Sequence, residues 1–209
     1  MPRVVLLAGP SGSGKSYLAR ASGLPVLTLD DFYRDGDDPA LPRLPDLGIV
    51  DWDDPRSWDA ERAVRKLVAI CRDGQADVPV YDIAQDRATQ ARRFDVGRSS
   101  VFIAEGLFAA EIVAACRERG ILADAIVLRR APWMNFLRRL VRDVAERRKP
   151  VLTLVRRGWK LMLGERAVLR RQIALGCRAV TAREARAAIA SAAPGPCRDQ
   201  GAPDATPQG

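Results

Sequence analysis

An α/β domain on a parallel sheet is the fold class the sequence predicts, and three observations predict it. Short continuous apolar runs recur along the chain, amphipathic helical patterns separate them, and the first run opens into a glycine-rich loop followed by a helix. With 209 residues, 47% of them hydrophobic and 29% charged, the chain can bury one core. Residues 1–190 are expected to form a single domain.

The elements follow in order. Residues 4–8 (Val-Val-Leu-Leu-Ala) are an apolar run suited to a strand buried on both faces. The loop Gly9 to Ser16 comes next, and a helix begins at 17–21. Further buried strands are expected at 26–29, 101–104 and 125–128. Helical patterns lie at 59–72, where Ala63, Val64, Leu67, Val68 and Cys71 share a face, and at 107–119. The stretch 35–55, rich in Pro, Asp and Gly, reads as a long surface loop, a kind of segment that often carries function. Residues 132–149 and 151–187 read as helical and strongly basic, and 193–209, rich in Pro, Gly and Gln, as a disordered tail. No internal repeat is visible.

Composition narrows the function. The chain has no histidine, which excludes His-based catalysis and most zinc chemistry. Its four cysteines, at 71, 116, 177 and 197, form no metal-binding spacing and read as reduced thiols. The longest charge-free stretches are 11 residues, too short for a membrane span of about 20. With no export signal in view, a cytoplasmic protein is expected. The net charge of +8 is uneven: residues 1–60 carry 6 basic and 10 acidic side chains, whereas 129–186 carry 17 basic against 4 acidic. Such a basic block suits nucleic acid, an anionic surface or phosphates in a pocket. Aromatics are 6% of the chain and only Trp133, Phe136 and Trp159 fall in the block, which speaks against a stacking platform for single-stranded nucleic acid. Asn135 is the only asparagine, so the Asn-Lys-x-Asp guanine motif of a GTPase is absent.

The strongest chemical signal is Gly9-Pro10-Ser11-Gly12-Ser13-Gly14-Lys15-Ser16, which fits G-x-x-x-x-G-K-[ST] between strand and helix. Glycines let the backbone curl so that N–H groups face a phosphate. Lys15 can reach the β- and γ-phosphates, and the Ser16 hydroxyl can ligate Mg²⁺. Asp30 and Asp31 follow the second strand, at the carboxyl end where α/β sheets bind ligands; such a carboxylate can take a proton from an attacking hydroxyl, or simply cap a turn. Glu105 stands just past the third strand, as a second acidic group for metal or water or as a solvated strand-end residue. Arg138, Arg142 and Glu146 form one row on a helix; taken alone this reads as a solvated basic face with internal ion pairs.

In this order the set resembles the uridine kinase-like branch of the P-loop kinases, alongside phosphoribulokinase and bacterial pantothenate kinase. Gly9–Ser16 is similar to that family's G-x-S-G-S-G-K-[ST], and Asp30-Asp31-Phe32-Tyr33 to its Asp-Ser-Phe-Tyr. The run from Asp51 to Asp59 resembles its Asn-Phe-Asp-His-Pro-x-Ala-Phe-Asp, and Tyr81-Asp82-Ile83-Ala84 the start of its pyrimidine-recognition loop. Ala104-Glu105-Gly106 resembles its Glu-Gly strand end, and Arg142-Asp143-x-x-Glu146-Arg147 the Arg-Asp-x-x-Glu-Arg of its lid. Together these cover about residues 1–150.

The resemblance implies a P-loop NTPase fold of the nucleoside or nucleotide kinase type, with an Arg-rich helical lid at about 131–150. It implies an ATP- and Mg²⁺-dependent enzyme that moves the γ-phosphate to a hydroxyl of a small molecule, the 5′-hydroxyl of a nucleoside first. Asp30 would align or deprotonate that hydroxyl, with Lys15 and Arg142 as its catalytic partners. Ser16, Asp30 and Glu105 would support the metal, Asp53 the ribose hydroxyls, and Tyr81 the base. Arg138, Arg142 and Arg147 would face the phosphates, which turns the basic helix into a lid. The family's recognition loop carries a histidine and then an arginine. Here Tyr81 to Arg87 is one residue shorter and lacks the histidine, leaving Gln85, whose amide can read a pyrimidine edge, and Arg87. The same chemistry on a pantothenate-like or sugar acceptor, and a non-catalytic ATP-binding regulator, stay open, as does a homo-oligomer. Past residue 150 the stretch 151–163 is amphipathic and basic, fit for a packing helix or for an acidic partner.

Overall fold

The computed structural model describes residues 1–45, 48–129, 164 and 166–193. Its centre is a five-stranded parallel sheet in the order β2-β5-β1-β6-β7, formed by β1 (Arg3–Ala8), β2 (Val26–Thr28), β5 (Val101–Glu105), β6 (Leu122–Leu128) and β7 (Arg178–Val180). Val4 through Ala8 are each fully buried. Alternation along β1 sends Val4, Leu6 and Ala8 into one core and Val5 and Leu7 into another, on opposite faces of the sheet. A strand that must be apolar on both faces reads as an unbroken run, which is why the first five apolar residues belong in mid-sheet.

Helix α2 (Ala60–Asp73) covers the first face with Ala63, Val64, Leu67, Ile70 and Cys71. Asp59 caps it by accepting the Arg62 N–H at 2.8 Å, and Gly74 ends it in the left-handed region. The second face packs α1 (Lys15–Arg20) through Leu18 and Ala19, and α5 (Ala182–Ala192) through Ala185 and Ile189. A capping box between Thr181 and Glu184 starts α5. Cys71, Cys116 and Cys177 are unpaired and buried, and burial pushes their thiols up to about 11, 12 and 11. Among the described residues no helix is long and apolar enough to cross a membrane.

The expected strands at 4–8, 26–29, 101–104 and 125–128 and the helix at 59–72 all appear, with ends shifted by up to three residues. Three departures have physical causes. The expected helix at 107–119 is α3 (Val113–Glu118), preceded by a 3₁₀ turn at Ala109–Ile112, where the tighter bond from the Glu111 N–H to the Phe108 carbonyl stands in place of the α pattern. The expected helix at 151–187 is interrupted: α4 covers 166–174, Gly176 turns the chain with φ of 102°, and β7 then joins the sheet edge beside β6. Third, 75–95 forms an antiparallel hairpin, β3 (Gln75–Asp82) and β4 (Arg87–Asp95), that the sequence did not announce. The lid region at about 131–150, with Arg138, Arg142 and Arg147, and the tail from 194 onward lie outside the described residues.

Candidate active site at the carboxyl ends of β1, β2 and β5

Strand register brings the three motifs together. Leu7 of β1 and Thr28 of β2 both stand opposite Glu105 of β5, so the residues that follow, Gly9, Asp30 and Gly106, emerge at one edge of the sheet. In an open α/β sheet this edge is where ligands bind.

The loop between β1 and α1 is a concave backbone. Gly9, Gly12 and Gly14 have φ of 149°, 82° and 89°, values that side-chain-bearing residues rarely adopt. A Cβ on Gly9 would also stand 3.0 Å from Ser13 Oγ. No side chain caps α1, leaving its first N–H groups for a ligand. Lys15 is buried, with Nζ 4.0 Å from Glu105 Oε2. Glu105 is almost wholly buried, and that burial raises its carboxyl above the usual range; Lys15 and a hydrogen bond from Ser16 pull it back, while Asp30 adds to the rise. Ser13 Oγ and Glu105 Oε2 are two of only four buried side-chain atoms without a hydrogen-bond partner among the described residues. Buried polar atoms are rarely left so; the first lies within the phosphate loop and the second beside its lysine.

Asp30 sits on the 3₁₀ turn Leu29–Phe32 that follows β2. Its Oδ1 accepts the Leu107 N–H at 3.3 Å. A Cβ on Gly106 would come within 2.8 Å of Leu29 Cβ and 3.0 Å of Asp30 Oδ1, so the Glu-Gly pair places a carboxylate at 105 and clears room at 106 for another. Trp58 fixes the turn from beneath, its buried Nε1–H donating to the Leu29 carbonyl at 2.7 Å. The Asp59 and Arg34 N–H groups bond to the Phe32 and Ser57 carbonyls.

Beyond Asp30 stands an aromatic wall. Tyr33 lies 5.6 Å from Trp52, 5.8 Å from Tyr81 and 5.9 Å from Phe108, centroid to centroid, at edge-on or tilted angles. The Tyr33 hydroxyl donates to the Trp52 carbonyl and the Tyr81 hydroxyl to the Arg34 carbonyl. Burial raises the Tyr33 phenol strongly, and the charges of Asp30 and Asp53 add to it. Burial with nearby Asp86 and Asp35 pushes Tyr81 up to about 12.

Of the residues the sequence picked out, Gly9 to Ser16, Asp30 and Glu105 gather at the sheet edge, and Asp53 and Tyr81 join them across Tyr33. Gln85 and Arg87 are set apart. Gln85 is exposed in the hairpin turn, its amide donating to Asp82 at 2.8 Å, and Arg87 pairs with Asp37 at 3.5 Å. Arg142 and the other lid arginines lie outside the described residues. Sequence reasoning gave no role to Trp52, Phe108 or Trp58, nor to Gln172, whose Nε2–H donates to the Leu107 carbonyl at 2.8 Å. Trp52 and Trp58 lie within the Asp51–Asp59 motif and their signal was there; Gln172 meets Leu107 across 65 positions of sequence and left none.

No protein-family model matches the chain. It is 31% identical over 157 residues to the uridine kinase of Geobacillus kaustophilus, spanning 70% of this chain and 69% of that one. To the uridine kinase of Listeria monocytogenes it is 29% identical over 154 residues, spanning 70% of each. A solved structure of a candidate fructose transport system kinase from Silicibacter sp. TM1040 shares the fold, with a TM-score of 0.61 at 23% identity over 81% of this chain and 85% of that one. A phosphate-binding loop with its lysine, two carboxylates at adjoining strand ends and relatives of this identity and span lead to one assignment: the chain belongs to the uridine kinase-like family of P-loop kinases, ATP-dependent enzymes that transfer phosphate to a hydroxyl group.

Proposed function

We propose that the chain phosphorylates the 5′-hydroxyl of a nucleoside, with uridine the first acceptor to test. The observation that carries this reading is the place of Asp30, whose Oδ1 accepts the N–H of Leu107, two residues past Glu105, and whose turn leads straight into Tyr33 of the aromatic wall. A base has a flat face for Tyr33, Trp52 and Tyr81, and a ribose has hydroxyls for Asp53.

The phosphate loop and Lys15 hold the β- and γ-phosphates of ATP. Asp30 aligns the acceptor hydroxyl in line with the γ-phosphorus and receives its proton as the new O–P bond forms and the bond to the ADP oxygen breaks. Arg138, Arg142 and Arg147 would neutralise the equatorial oxygens. The Ser16 hydroxyl with the Asp30 and Glu105 carboxylates offers the hard oxygen donors Mg²⁺ prefers, and Glu105 Oε2, buried without a hydrogen bond, fits that use. Bound there, Mg²⁺ would supply positive charge that offsets the negative charge of the ATP phosphates.

A second reading keeps the chemistry and changes the acceptor to a sugar or a pantothenate-like molecule. It is favoured by Gln85, whose amide is occupied by Asp82 in an exposed turn and not aimed at the wall. A mass-spectrometric screen with ATP, Mg²⁺ and pooled nucleosides, sugars and pantothenate separates the two, with Lys15→Ala and Asp30→Asn proteins alongside. A gain of about 80 daltons on one nucleoside, with wild type only, is expected. A gain on a sugar or on pantothenate transfers the assignment to that acceptor. ATP bound with no acceptor gaining mass overturns both.

A further inference from the structure

Two adjacent aspartates follow β2, and the structure gives them different partners. Asp30 is held by the Leu107 N–H of the loop after β5. Asp31 turns the other way: its Oδ1 accepts the Tyr81 N–H at 3.2 Å, its Oδ2 stands 3.7 Å from Arg92 Nη2, and its side chain is only 17% exposed. Both partners belong to the β3–β4 hairpin, 50 or more positions away in sequence.

That hairpin needs fastening. It is a two-stranded sheet with no ladder to the main sheet, and such a ribbon is marginal alone. Val78 and Phe94 anchor its base in the core, but Tyr81 lies near the far end, where nothing apolar is buried. The ladder also shifts register between Val80 and Tyr81, an irregularity of the kind that re-aims a side chain and interrupts pairing. It is at this shift that the Tyr81 N–H meets Asp31. Farther out, the stretch that begins at Asp31 runs along the hairpin: the Tyr81 hydroxyl donates to the Arg34 carbonyl, the Ala88 N–H to Asp35, and the Gly36 N–H to the Asp86 carbonyl. Of those ties the Ala88 bond is exposed and the Tyr81 hydroxyl bond is half-buried, as is the Asp31 tie, which alone starts from the residue next to Asp30.

We propose that Asp31 is a positioning residue for the acceptor: it locks the hairpin, through the Tyr81 amide and the Arg92 guanidinium, to the turn that presents Asp30, and so sets where the Tyr81 ring stands. The proposal rests on the reading that Tyr81 faces the acceptor. Burial raises the Asp31 carboxyl while the Tyr81 N–H and Arg92 lower it, as expected of a carboxylate kept in a sheltered site by its partners. Asp31 does not touch the acceptor; with both oxygens engaged by the hairpin, it leaves proton transfer to Asp30.

Four proteins test it: Asp31→Ala, the milder Asp31→Asn, Arg92→Gln, and Asp31→Asn combined with Arg92→Gln. Each is followed by hydrogen–deuterium exchange over residues 75–95, by ATP affinity, and by steady-state phosphorylation of uridine. In Asp31→Ala the Tyr81 amide should exchange faster with ATP affinity unchanged, and KM for uridine should rise about tenfold while kcat stays within about twofold. Asp31→Asn keeps an acceptor for the amide and should lose less. The double variant should be no worse than the worse of its parents, because both remove one interaction. Unchanged exchange at Tyr81 in Asp31→Ala, or losses in the double variant that simply add, overturn the proposal. If wild type leaves uridine untouched while exchange responds as expected, uridine falls as the acceptor and the lock stands.

Discussion

The phosphate side and the acceptor side of this site are built on opposite plans. The phosphate side uses the ends of central strands: Lys15 and Glu105 are buried, Asp30 sits one turn beyond β2, and Ser13 is fully enclosed. Its parts are fixed by the sheet, so their spacing is set before any ligand arrives, and rigid placement is what in-line transfer needs. The acceptor side is assembled from a surface loop and a hairpin outside the sheet. Its rings touch one another edge-on and its polar groups are satisfied locally. Damage to the first region should therefore appear in kcat, and damage to the second in the KM for the acceptor alone.

The largest effects should come from the phosphate side. Asp30→Asn removes the proposed proton acceptor while keeping a partner for the Leu107 N–H, and kcat should fall about a thousandfold with little change in ATP affinity. Single-turnover transfer from labelled ATP measures it, and a kcat within about tenfold of wild type would assign the role elsewhere.

Gly106→Ala probes the same region by geometry. The new methyl would stand 2.8 Å from Leu29 Cβ and 3.0 Å from Asp30 Oδ1, so the turn that carries Asp30 must shift by several tenths of an ångström. A ten- to hundredfold loss of kcat, about what such misplacement costs, is expected without touching any charged group. A loss confined to acceptor KM would contradict the division between the two sides.

Across the site, Trp52→Ala opens the wall where it meets Tyr33 at 5.6 Å and Tyr81 at 6.3 Å. Acceptor KM should rise about tenfold, with ATP KM unaffected. A matching rise in ATP KM would mean that the wall is part of the nucleotide site.

The same contrast explains what could be read beforehand. Gly9 to Ser16 is one contiguous strand–loop–helix unit, so its chemistry is written locally. Asp30 and Glu105 stand at the ends of apolar runs, and a run marks its own end. The hairpin was hidden because β4 is exposed along almost all its length: only Phe94 is buried, and Arg-Ala-Thr-Gln-Ala-Arg-Arg shows no alternation to mark a strand. Arg92 was therefore one arginine among thirty, with nothing to tie it to Asp31. β7 was lost for a related reason, since three residues between two helical stretches do not disturb a helical periodicity. Legibility here followed burial and contiguity, and the acceptor side has little of either.

The smallest prediction concerns what the buried phosphate side does to the empty enzyme. Burial lifts Glu105 above its ordinary 4.5, so the folded protein holds this proton more tightly than the unfolded chain does. Between the unfolded and folded values the native state binds more protons, and stability falls as pH rises through that window. The contribution is fully present below the unfolded value and is lost once pH passes the raised one. Glu105→Gln carries no charge at any pH and escapes that loss, though Lys15 then lacks its neighbour at 4.0 Å, which limits the gain. Without ligand, the two proteins should melt together near pH 4, and the Gln variant about 2 °C higher at neutral pH. A gap that stays constant with pH would mean that Lys15 fully offsets the burial of the carboxylate, and a wild type that gains on the variant as pH rises would mean that it more than does so. The expected result would instead show a carboxylate kept in an unfavourable place by the fold, which is what a site poised for phosphate and metal requires.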